Sequence, residues 1–64
     1  MTAQEFFDLG QEHRRNRRFG EAINAFRDSM TASDATPEII SRSQASIELI
    51  QEINGFVNTD LMNP

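Results

Sequence analysis

The chain contains no cysteine and no lysine, and it has a single histidine. Without thiols there can be no disulfide and no zinc site built on thiolates. His13 stands without a second histidine, so a metal or catalytic centre would lack the partners it needs. No apolar run approaches the roughly 20 residues required to cross a bilayer. The opening stretch, MTAQEFFDLG, lacks the basic start and apolar segment of a secretory signal. No phosphate-cradling glycine loop is present, and Ser29, Ser33, Ser41, Ser43 and Ser46 have no base near them in sequence. These absences set the expectation of a soluble, cytoplasmic, non-enzymatic protein with no catalytic residues, no cofactor, no metal and no membrane partner.

What is present fits a small helical unit. At 64 residues the chain makes one domain, 1–64, and a chain this short buries only about 60% of its unfolded surface. A hydrophobic content of 38%, with five Phe, suffices for a small core and exceeds that of a disordered tail. The net charge is −4, with ten acidic residues along the chain. That balance disfavours nucleic acid and anionic membrane, which call for a dominant positive field.

Periodicity predicts three helices, at about 3–15, 20–32 and 37–54, followed by a tail at 55–64, and nothing reads as a strand. Thr2 and Glu5 form a capping-box pattern at the first start. Ala3, Phe6, Leu9, Gly10 and His13 then recur at three- and four-residue steps along one face. Arg14 and Arg15 fall in the last turn, where positive charge suits the helix end, and Asn16 is the candidate left-handed terminator. The second helix carries Phe19, Ala22, Ile23, Phe26 and Met30, with Glu21 near its start. Thr36 and Pro37 open the third as N-cap and first helical residue. Its apolar residues Ile39, Ile40, Ile47, Leu49, Ile50 and Ile53 span about half the helix surface. Ser43 and Ser46 interrupt that stripe and suggest close helix approach. Gly55 suits the position past the helix end, with Phe56 able to fold onto the last turn.

Residues 6–30 resemble the core of a tetratricopeptide repeat. Phe6, Leu9-Gly10, Phe19, Ala22 and Phe26 fall at that family's spacing of a bulky residue, Leu-Gly, an aromatic, Ala and Phe. Small Gly10 and Ala22 would let two antiparallel helices approach closely while large residues fill the space around them. The resemblance implies an all-α fold, a helical hairpin capped by a third helix. It departs from the pattern at His13, where an aromatic is favoured, at Ser29, where Ala is usual, and at Asp34, which holds the place of the closing Pro. The expected core is Phe6, Leu9, Ala22, Ile23, Phe26, Ile47 and Ile50.

The resemblance also implies protein–protein recognition. Its groove-facing positions on the first helix correspond to Gln4, Phe7, Gln11 and Arg14. Members that grip a chaperone's C-terminal carboxylates use Lys and Asn where this chain has Phe7 and Gln11, so that clamp is absent. Phe7 lies off the Phe6–Leu9 stripe and could either pack under the third helix or stand as an exposed contact. The partner's identity is open, and a second copy of the chain is one candidate. The alternative function is an anion-binding patch, for a phosphopeptide or nucleic acid, made by Arg14, Arg15, Arg17 and Arg18. Read against it, these arginines are a solvated helix end and turn. His13 is expected to pack, hydrogen-bonded, at the hairpin seam, where burial next to Arg14 would disfavour its charged form. Glu48 and Glu52 read as a solvated pair one turn apart. Phe56, Val57, Leu61 and Met62 make the tail more apolar than a frayed end, and predict that it folds back across the helices or onto a neighbouring chain.

Overall fold

The computed structural model describes residues 1–54, which form three helices: α1 at Ala3–Arg15, α2 at Phe19–Thr31 and α3 at Pro37–Asn54. No strand occurs among the described residues. The fold is all-α: α1 and α2 form an antiparallel hairpin, and α3 packs chiefly on α2. Gly55, Phe56 and the rest of the tail, with the fold-back expected of them, lie outside the described residues.

Local chemistry sets the helix starts. The Thr2 hydroxyl accepts from the Glu5 amide at 3.1 Å, and the Glu5 carboxylate accepts from the Thr2 amide at 2.8 Å, closing the capping box. Thr36 caps α3 in the same sense, its hydroxyl accepting from the Ile39 amide at 3.2 Å. The start of α2 has no side-chain cap, and its first turn carries Glu21 instead.

The end of α1 corrects one expectation. Asn16 sits at φ −91°, so it is the C-cap and not the left-handed residue. The left-handed residue is Arg17, at φ 62°. Its amide donates to the Arg14 carbonyl at 3.0 Å, and the Arg18 amide donates to the His13 carbonyl at 2.8 Å. Together these bonds make a Schellman ending, in which glycine normally occupies the place Arg17 holds. Asn16 contributes through its side chain, whose Nδ2 donates to the Glu12 carbonyl at 3.0 Å. A side-chain β-carbon in the left-handed region costs roughly 1–2 kcal/mol, partly offset by glycine's greater freedom when unfolded. Arg17→Gly is therefore expected to raise stability by about 0.5 kcal/mol, a gain of a few degrees in Tm. Thermal denaturation followed by circular dichroism checks this, and an unchanged or lower Tm would contradict it.

The core lies between α2 and α3 and is closed by α1. Ala22, Ile23, Phe26, Ile47 and Ile50 form one buried cluster, with Phe7, Phe19 and Met30 packed against it. Phe6 and Leu9 do not belong to it. Phe6 is half-buried, and Leu9 is 36% exposed. The reason is angular. Consecutive helical residues point about 100° apart, and α1 turns Ala3 and Gly10 to α2, which swings Leu9 outward. Phe7 takes the place expected for Phe6: its ring lies 5.4 Å from that of Phe26, tilted by 58°, within the range of a favourable aromatic pair. Of the two readings left open for Phe7, neither is met as stated: the ring packs, but against Phe26 of α2, where packing under α3 was expected.

Ser29 and Asp34, two of the departures from the repeat pattern, converge on Ala3. The buried Ser29 hydroxyl donates to the Ala3 carbonyl at 2.8 Å, and Asp34 Oδ1 accepts from the Ala3 amide at 2.9 Å. One serves the hairpin seam. The other supplies an acceptor and a negative charge to the start of α1, as an N-terminal helix end prefers. Ser29→Ala and Asp34→Ala are each expected to cost about 1 kcal/mol. Because both act on the backbone of the same residue, Ala3, the double variant should depart from the sum of the two. Chemical denaturation of the four proteins measures that coupling, and strict additivity would separate the two bonds.

Candidate functional site

The residues expected to face a partner all lie on α1, but they are not equally available. Gln4 is exposed and spends its amide on Asp8, with Nε2 donating to Oδ1 at 3.0 Å. Phe7 is engaged with Phe26. Gln11 is half-buried, and its Oε1 is sealed from solvent without a hydrogen-bond donor. Arg14 is half-buried and opens onto a groove. Of the four, Arg14 lines that groove.

That groove has a volume of about 320 Å³ and is lined by Arg14, Arg15, Phe19, Leu49, Ile50 and Ile53. It sits where the end of α1, the start of α2 and the last turns of α3 meet. Its position follows from the hairpin: α1 ends where α2 begins, and α3, running back along α2, brings its C-terminal half to the same corner. The floor is apolar. Ile50 is buried, whereas Leu49 is 42% and Ile53 69% exposed. The groove is small for a pocket that encloses a ligand, and its size suits one or two anchoring side chains.

The arginines divide into two pairs. Arg15 Nη2 lies 2.9 Å from Glu12 Oε1, and Arg18 Nε lies 3.9 Å from Glu21 Oε1. Arg14 and Arg17 have no carboxylate partner among the described residues. Glu12 has its pKa held below the ordinary value by hydrogen bonds from Arg15 and Asn16. A carboxylate of this kind stabilises the folded chain above its unfolded pKa, and that contribution is lost as pH falls through the lowered folded value.

His13 lies at the hairpin seam with its side chain 20% exposed, and its Nδ1 is 3.7 Å from Glu21 Oε1. That separation is too long for the hydrogen bond expected of His13. The facing group is Glu21 from α2. Glu48 and Glu52 are both exposed, and Glu48 accepts from Gln44 Nε2 at 3.0 Å. Among the described residues, no three His, Asp or Glu side chains gather as a metal site requires. No described helix is long and apolar enough to cross a membrane.

No family model, no curated protein and no solved structure matches this chain. The site therefore stands on its own geometry. Sequence reasoning found Arg14 and missed Arg15, Phe19, Leu49 and Ile53 as groove residues. One signal was available: the apolar stripe of α3 spans half its circumference, more than a single neighbouring hairpin face covers.

Proposed function

We propose that the chain is a non-enzymatic protein–protein interaction module, a minimal unit resembling a tetratricopeptide repeat. It binds a peptide or protein partner, or a second copy of itself, and performs no chemistry of its own. The observation that carries this reading is the open apolar groove walled by Arg14. It pairs solvent-facing Leu49 and Ile53 with a guanidinium that no described carboxylate neutralises. Such a combination suits a large apolar anchor flanked by an acidic group. The resemblance at Gly10, Ala22 and Phe26 adds support, because those small and large side chains hold the hairpin that builds the groove.

The test is a pull-down with the intact chain beside a Leu49→Ser, Ile53→Ser variant, with sedimentation over a concentration series for self-association. Both serines replace side chains already exposed, so the helices are expected to survive. A partner or self-assembly lost with the apolar pair supports the reading. Equal retention by the variant overturns it.

The alternative is an anionic ligand held by Arg14, Arg15, Arg17 and Arg18, and the lack of a carboxylate partner for Arg14 and Arg17 among the described residues favours it. Binding of that kind should weaken with salt and with Arg→Gln changes at these positions. A titration insensitive to both removes it.

A further inference from the structure

We infer that the groove takes a partner helix whose two flanks carry opposite charge, with carboxylates toward α1 and basic side chains toward the outer edge of α3. This rests on the partner-binding reading of the groove and goes further, fixing the partner's shape and charge. The angular order of α3 sets the pattern. Seen from Leu49, Ile50 lies about 100° and Ile53 about 40° to one side, whereas Glu52 lies about 60° and Glu48 about 100° to the other. Ile50 belongs to the core cluster, so its side of α3 is the side of the hairpin, where Arg14 and Arg15 wall the groove. Glu48 and Glu52 are exposed beyond Leu49, on the opposite bank. The apolar floor therefore runs between a basic bank and an acidic one.

Both banks have charge to offer. Arg14 has no carboxylate partner among the described residues, and Arg15 shares its charge with the exposed Glu12. Neither Glu48 nor Glu52 has an ion-pair partner among the described residues. Standing one turn apart, these two acids repel each other, and a base set between them relieves that repulsion. The spacing of the floor selects a helix. Leu49 and Ile53 are also one turn apart, and a helical partner repeats that step with anchors three or four residues apart. A helix also carries side chains on both flanks of its apolar row, so it reaches the two banks at once. An extended segment alternates its side chains between opposite faces and offers no such flanks. Exposed pairs of this kind add little to affinity, and their work is to choose among partners and to fix the direction in which one lies.

The probes are three synthetic helical peptides with the same pair of leucines four residues apart. One carries glutamate along one flank and arginine along the other, the second glutamate on both, the third arginine on both. Fluorescence anisotropy with the full chain reads their affinities. The mixed peptide is expected to bind about tenfold more tightly than either of the others at low salt, an advantage that shrinks at about 1 M salt. Combining Glu48→Arg with Glu52→Arg should hand the preference to the all-glutamate peptide. Both positions are exposed, and circular dichroism checks that the helices persist. Equal binding of all three peptides, still lost with Leu49→Ser and Ile53→Ser, overturns the inference and leaves the partner-binding reading standing. A preference of the unaltered chain for either single-sign peptide overturns it as well. Binding of the mixed peptide that ignores Leu49→Ser and Ile53→Ser overturns both. Absence of binding by all three overturns the inference, in favour of a second copy where sedimentation shows the chain to self-associate.

Discussion

Phe26→Ala is expected to remove about 3 to 5 kcal/mol of stability, the usual range for emptying a buried aromatic site. Phe26 is fully buried and touches three structural layers at once. It belongs to the cluster that joins α2 to α3, it pairs with the Phe7 ring of α1, and it lies against the backbone of Gly10. Gly10, on the facing helix, has no side chain to move into the space. A domain of this length holds roughly 3 to 10 kcal/mol in total, so the variant should be largely unfolded at 25 °C. Circular dichroism reads this directly. A cooperative melt near that of the parent chain would show that the core lies elsewhere.

Gly10→Ala carries the second largest expected effect, and its sign runs against helix propensity. A methyl group at residue 10 would fall 2.7 Å from Phe26 Cδ1 and Cε1 and 2.9 Å from Cζ. Those separations are well inside van der Waals contact, and the ring cannot swing aside because it is enclosed on every face. Overpacking of this kind costs about 1 to 3 kcal/mol, against a gain of about 1 kcal/mol for replacing glycine within a helix. The net expectation is a loss of up to about 2 kcal/mol, with the hairpin forced apart. Gly20→Ala is the matched control, because nothing lies within 4 Å of its added carbon. There the propensity gain stands alone, and stability should rise by about 0.5 to 1 kcal/mol. Opposite signs for the two substitutions in urea titrations are the expected result. Two gains would mean that the helices do not meet at Gly10.

The contrast between those glycines shows what could be read in advance. Gly10 stood out as an expected contact residue through the resemblance to the repeat pattern, in which Ala22 and Phe26 follow it at fixed distances. The helix spans, the Thr2 and Thr36 caps and five of the expected core residues were legible because periodicity and capping are local. Phe6 and Phe7 were not separable, since adjacent aromatics on an amphipathic helix differ only by rotation about its axis. That rotation is set by where Ala3 is tied down, and the tie comes from Ser29 and Asp34, 26 and 31 residues away. Asn16 looked the better left-handed residue by type, but its side chain was more useful bonded to the Glu12 carbonyl. The groove was the least legible feature. Leu49 and Ile53 belong to the same stripe as Ile50, and only the course of α3 over the hairpin decides which of them α2 covers.

Ala3 is grasped by both its amide and its carbonyl, from a helix and from the loop beyond it. The first turn of the chain is thereby fastened to the region where the second helix hands over to the third. Detaching α1 would sever that fastening and uncover Phe26 in the same event, so the hairpin should not peel open from the start of α1. Amide exchange along α1 should then report the opening of the entire unit, with nearly equal protection from its middle to its start.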